Sequence, residues 1–229
     1  MEYPVQEAFQ RFYPKYRQLH HVTPWQEKAA QCIMGCKTGE FGYVSSFCPK
    51  CGHSQIHAAS CGNRNCPCCQ GTKKEEWVEA RSSELIDGVA YFHVVFTIPS
   101  DLNPLMLGNQ KELYTLLMRS ASDAVLELSA RPKNLSAVPG IVSVLHSWSS
   151  RLDYHPHVHM MVSGGGLKTG DPSRFVQLTD RNASFFLPAK QLSGMFRSYF
   201  LSGLKELYKN NSLSLSCESG KYRNSYNWQ

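Results

Sequence analysis

At 229 residues the chain has room for one large domain or two small ones, and 42% hydrophobic against 18% charged residues makes it too apolar for a disordered protein. Its longest near-apolar run, residues 88–98, is too short to span a bilayer, and the N-terminal MEYPVQEAFQ lacks the apolar core of a signal peptide, so a cytoplasmic protein is expected and not a membrane or secreted one. A net charge of +6 permits a polyanionic partner without requiring one, and the positive excess concentrates in residues 181–229, with seven basic and two acidic side chains.

The first element in chain order is a helix from Thr23 to about Cys36. Thr23 can cap it, Pro24 suits the first helical position, and Gln26 stands where a capping-box partner reaches back. Strand-like text follows at Phe41, Tyr43, Val44 and Phe47 and runs into Cys48-Pro49-Lys50-Cys51-Gly52-His53. Eight of the nine cysteines fall between Cys32 and Cys69. In a reducing compartment such crowding reads as metal ligation before it reads as disulfides. Cys48-x2-Cys51 and Cys66-x2-Cys69 are two knuckles of a zinc ribbon, and together they form the expected zinc set. Cys68 could replace Cys69. Cys36, His53, His57 and Cys61 remain, and a second zinc site from Cys36, His53 and Cys61 stays open. A helix over about 73–85 leads out of this module.

From residue 85 the text reads as a conventional core. Tyr91–Ile98 is a buried strand closed by Pro99, and 109–130 has helical spacing through Leu113, Leu117, Ala121, Ala124 and Leu128. Strands are expected over 141–148 and 156–162, the second stopped by Gly164-Gly165-Gly166, and a helix over 187–209. Strand, helix, hairpin, helix is an α+β pattern, an antiparallel sheet with helices packed on one face. The expected domains are 1–84, zinc-binding, and 85–229.

The chemistry concentrates in Asp153-Tyr154-His155-Pro156-His157-Val158-His159. On a strand His157 and His159 share a face, and two imidazoles at i, i+2 can converge on one divalent cation. If the hairpin turns about Arg151-Leu152, His146 falls opposite His157 as third ligand; a one-residue slip would move it to the other face. His93 on the first strand is the rival.

At this point the chain resembles a known family. His157-Val158-His159 is similar to the His-hydrophobe-His signature of HUH endonucleases, which nick single-stranded DNA, and Phe96-Thr97-Ile98 resembles an upstream motif of rolling-circle initiators. More narrowly, SCGNRNCPCCQ (60–70), YFHVVFTIP (91–99), LHSW (145–148), YHPHVHMMVSGGG (154–166) and FFLP (185–188) resemble the two-tyrosine HUH transposases of rolling-circle insertion sequences, which carry an N-terminal zinc-binding domain. Asn65 departs from the family, which tends to place a histidine there, and this counts against a second zinc site.

The resemblance implies DNA transposition by nicking and rejoining single-stranded DNA at transposon ends. It further implies structural zinc, a catalytic Mg²⁺ or Mn²⁺ at the histidines, and a nucleoid-associated bacterial protein. It places the nucleophilic tyrosine pair downstream of FFLP on a helix. Tyr222 and Tyr226 have i, i+4 spacing but helix-poor surroundings, so the chain is expected to end before the nucleophile and not to cleave. A non-catalytic, zinc-dependent DNA-binding protein is the alternative. A zinc hydrolase using His146, His157 and His159 ranks last, having only Asp153 near as a base.

Overall fold

The computed structural model describes residues 4–178 and 187–215. Two compact units divide the chain, Met1–Ile86 and Asp87–Gln229, two residues beyond the division expected at 84.

The first unit holds helices α1 (Pro4–Leu19), α2 (Pro24–Gly35) and α3 (Pro67–Ser82), with a hairpin of β1 (Tyr43–Phe47) and β2 (Ser54–Ala58) between α2 and α3. The capping box at Thr23 and Gln26 is present in full. Helix α1 was not expected from the sequence. It docks by polar anchors: Gln6 Nε2 donates to the carbonyls of Met34 and Cys36 (3.0 and 2.7 Å), and Gln10 Nε2 to Met34 (2.7 Å). These amides satisfy carbonyls that the C-terminus of α2 leaves without helical partners. Tyr13 donates to Glu27, which also meets Arg17 at 3.1 Å.

The second unit is the expected α+β fold. Its sheet contains β3 (Tyr91–Thr97), β4 (Ala137–Trp148), β5 (Tyr154–Lys168) and β6 (Asp171–Gln177), all antiparallel, with β5 paired to each of the others. Strand β4 takes one edge of β5 along its whole length. Strands β3 and β6 divide the other edge, β3 against 157–163 and β6 against 165–168. Helices α4 (Asn103–Gly108), α5 (Gln110–Ala130) and α6 (Ala189–Lys209) complete the unit.

The core sits on one face of this sheet. Phe96, Val158, Met160 and Val162 meet Leu113, Leu117, Ala121, Ala124 and Leu128 of α5 and Leu192, Phe196, Phe200 and Leu204 of α6. Each fully buried Leu contributes about 1.5–3 kcal/mol. Tyr199 of α6 donates to the Glu127 carboxylate of α5. The alternate residues of β3, β4 and β5 project from the other face, where Val95 is 43% and Val144 37% exposed.

The triple glycine does not end β5 at Val162, as the sequence reading expected. The strand runs on to Lys168, and the glycines are where other chains come closest. A Cβ on Gly166 would stand 2.1 Å from the Val138 carbonyl oxygen, and one on Gly165 2.7 Å from the Phe175 ring. The β4–β5 register jumps between Pro139 and Ile141 at the same place. A second jump, between His146 and Trp148, absorbs Pro156, whose missing N–H suits a bulge.

Candidate metal centres

Four thiols of the first unit converge. Cys36 closes the C-terminus of α2, Cys61 lies in the loop after β2, and Cys66 and Cys69 flank the first turn of α3, with Cys66 at its N-cap and Pro67 at its first position. The four sulfurs lie within 4.8 Å of one another, with Cys69 Sγ 3.5 Å from both Cys36 Sγ and Cys61 Sγ. Zinc bound to sulfur at about 2.3 Å in a tetrahedron sets the sulfurs about 3.8 Å apart, so this donor set fits a zinc ion. Cys36 and Cys66 are 1% and 0% exposed. The amides of Cys61 and Asn63 point at the sulfurs of Cys36 and Cys61, at 3.5 Å each, and would stabilise thiolates.

The thiol acidities follow from that crowding. Burial raises Cys36 to about 11 and Cys61 further still. Burial opposes ionisation of Cys69 too, but hydrogen bonds from Cys36, Cys61, the Gly62 amide and Cys66 bring it down to about 7. One thiolate held by three thiols is an arrangement that a cation relieves.

The expected set of Cys48, Cys51, Cys66 and Cys69 is not gathered. Cys48 and Cys51 sit at the tip of the β1–β2 hairpin, in a tight knuckle with Gly52 at φ +73°. The base of that hairpin, not its tip, adjoins the four-thiol group: Lys37 N donates to Ala59 O, and Ala59 N to Gly42 O. A five-residue strand carries the tip roughly 17 Å away. The Cys51 and Lys50 amides hold the Cys48 thiol below its ordinary value. His53 stays at the tip, apart from Cys36 and Cys61, and Cys68 is not in the group.

In the second unit the ring nitrogens of His146, His157 and His159 lie within 4.8 Å of one another. The hairpin turns at 149–153, where Ser149 N donates to Asp153 O and Leu152 takes φ +66°. That turn pairs Trp148 with Tyr154, and the one-residue shift between His146 and Trp148 then sets His146 directly opposite His157; on the other edge of β5, Thr97 pairs with His157. Nitrogens about 2.1 Å from one ion stand roughly 3.0–3.4 Å apart, so side-chain rotations of about an ångström close this trio on a cation.

His157 Nδ1 lies 2.7 Å from the His155 carbonyl, which can only accept, so the proton is on Nδ1 and the Nε2 lone pair is free. His146 stacks on Trp148 at 5.2 Å between ring centroids. Burial and the neighbouring His146, His157 and His93 lower the pKa of His159, keeping it neutral as a ligand must be. His93 stands beside His159, outside the trio. His155 faces the same way but is also outside it. Tyr222 and Tyr226 lie outside the described residues.

Two family models match the chain in order: one described as a transposase zinc-binding domain over residues 8–98, and one described as "Putative transposase" over 140–229. Among curated relatives, transposase y4qJ of Sinorhizobium fredii (strain NBRC 101917 / NGR234) is 34% identical over 91% of this chain and 52% of its own length. The transposase for insertion sequence element IS801 of Pseudomonas savastanoi pv. phaseolicola is 33% identical over 59% of this chain and 32% of its own. The chain therefore spans about half the length of the first relative and a third of the second. Among solved structures, the conjugative relaxase TrwC in complex with oriT DNA has a TM-score of 0.39 at 14% identity, covering 52% of this chain and 43% of that one. No described helix is long and apolar enough to cross a membrane. With a transposase zinc-binding domain and a second transposase domain matched in order, and both relatives transposases, the chain is similar to insertion-sequence transposases that carry an N-terminal zinc-binding domain.

Proposed function

We propose that this chain supplies the metal site and the zinc-stapled module of a transposase that nicks and rejoins single-stranded DNA at the ends of its element. The observation that carries this reading is the convergence of His146, His157 and His159 on the solvent-exposed face of the sheet. Three neutral imidazoles on one side of an ion leave its other side open to phosphate oxygens. His146, His157 and His159 would hold a divalent cation there, which would polarise the scissile phosphate and offset the charge developing on it during attack by a tyrosine hydroxyl. The β4–β5 hairpin brings the three rings together, with His157 already in the tautomer that exposes Nε2. The nitrogen donors favour Mn²⁺ over Mg²⁺, which takes oxygen ligands.

Cys36, Cys61, Cys66 and Cys69 are the zinc set we assign. They tie the end of α2, the loop after β2 and the start of α3 together where little apolar surface is buried: among the described residues, Ile33, Cys36 and Cys66 form that unit's buried cluster.

The test is binding of labelled single-stranded and duplex oligonucleotides from the element's ends, with and without Mn²⁺. Single-strand affinity that rises with Mn²⁺ and loses that rise in the His157→Ala/His159→Ala double variant is expected. Equal affinity in the double variant, or preference for duplex, would refute the proposal.

A further inference from the structure

His93 stands outside the trio, yet one of its ring nitrogens meets a ring nitrogen of a trio member. It sits on β3 two residues from Val95, which pairs with His159, and so approaches His159 diagonally across the strands. Its Nε2 lies 2.8 Å from His159 Nδ1, with the rings nearly parallel at 8° and 5.0 Å between centroids. The contact has two possible polarities, and they have opposite consequences.

A neutral imidazole carries one N–H and one lone pair. If His93 donates, His159 accepts at Nδ1, carries its proton on Nε2 and has no lone pair left for a metal. If His159 donates from Nδ1, its Nε2 is free. We propose that His93 is a positioning residue: its Nε2 accepts the Nδ1–H of His159 and thereby reserves His159 Nε2 for the divalent ion. This inference rests on the reading that His146, His157 and His159 hold that ion.

Two features of the structure favour this polarity. His157, two residues away on the same strand, has its Nδ1–H fixed by a carbonyl, so both ligands of the pair would present Nε2 by the same device. His93 is exposed, so its own proton can reside on Nδ1 with water as partner, and accepting at Nε2 leaves nothing unsatisfied. A partner that fixes the second nitrogen of a metal-binding histidine is a general requirement of such sites, and removing one lowers metal affinity by roughly 10–100-fold.

The experiment reads the tautomer directly, by long-range ¹H–¹⁵N correlation of the imidazoles in the full zinc-loaded chain at pH 7.5, without Mn²⁺. The Nδ1–H form of His159 is expected in the wild type. It should give way to Nε2–H in His93→Ala and be retained in His93→Gln, whose amide oxygen can accept. Mn²⁺ affinity should fall about 10–100-fold in His93→Ala and recover most of that in His93→Gln. Electron spin echo spectroscopy of bound Mn²⁺ should count three coordinated imidazoles in both wild type and His93→Gln.

A wild-type His159 protonated at Nε2, a tautomer indifferent to His93→Ala, or a fourth imidazole on Mn²⁺ in the wild type would each overturn the proposal. Failure of the underlying reading looks different: the wild type would bind no Mn²⁺ through the trio, whatever the His159 tautomer.

Discussion

Replacing Cys36 with Ser separates the two ways of assigning the zinc. Cys36 is 1% exposed, and its sulfur stands 3.5 Å from Cys69 Sγ inside the four-thiol group. Structural zinc sites bind with about 10–16 kcal/mol at neutral pH, or about 2.5–4 kcal/mol per thiolate, so losing one should weaken zinc roughly 10²–10³-fold. The remaining three thiols would also keep a buried hydroxyl for company in place of a fourth ligand. Cys48→Ser and Cys51→Ser, at the hairpin tip, should leave the affinity of this site within a few-fold of wild type. Competition with a chromophoric chelator at pH 7.5 measures both. Loss of affinity in Cys48→Ser as large as in Cys36→Ser would refute the assignment and restore a ribbon built on both knuckles.

Three further outcomes follow from the geometry. Gly166→Ala must open the β4–β5 contact by more than an ångström, since its Cβ would meet backbone atoms of Val138 at 2.1 and 2.6 Å. It should cost about 3 kcal/mol in urea unfolding, whereas Gly194→Ala on the exposed face of α6, with nothing within 4 Å, should gain about 0.5–1 kcal/mol. A smaller loss in Gly166→Ala than in ordinary surface variants would contradict the packing described for β5. The lowered pKa of His159 means the folded chain binds fewer protons than the unfolded one as pH falls through the unfolded value, near 6.5. Stability from this group is therefore complete above that value and is lost on acidification towards the lower folded pKa. The difference in stability between wild type and His159→Gln, without Mn²⁺, should shift against the wild type between pH 7.5 and 5; a shift in its favour would show the sign to be wrong. Thr23→Ala removes the side-chain half of the capping box and should cost about 1 kcal/mol, read as a lower unfolding midpoint of the first unit.

The histidine site was legible in the sequence because strand geometry is strict. A period of two puts His157 and His159 on one face, and a turn near Arg151-Leu152 brings His146 to within one residue of its place, but the bulge between His146 and Trp148 that completes the pairing with His157 was not legible. The cysteine grouping was not legible by the same kind of counting. Spacing gives separations along the chain, but the hairpin length carries Cys48 and Cys51 away while Pro67 starts a helix that turns Cys66 and Cys69 back towards Cys36. The triple glycine was read as a strand end because glycine weakens strands; here it marks where β4 and β6 come too close for a side chain. Helix α1 had a signal in Val5, Phe9, Phe12 and Tyr16 at helical spacing, interrupted by Pro14, whereas β6 is a short, exposed edge strand carrying Pro172. The His159–His93 contact had a signal, a histidine in the middle of β3, but its diagonal reach depends on a pairing register that β3 alone does not reveal.

The most direct test of the central claim is a Mn²⁺ titration of the zinc-loaded chain followed by electron paramagnetic resonance, in wild type and in His146→Ala, His157→Ala and His159→Ala. One Mn²⁺ per chain bound through imidazole nitrogen, lost or sharply weakened in each variant while zinc content is unchanged, is the expected result. Mn²⁺ binding that survives in all three variants would contradict a metal centre at these histidines.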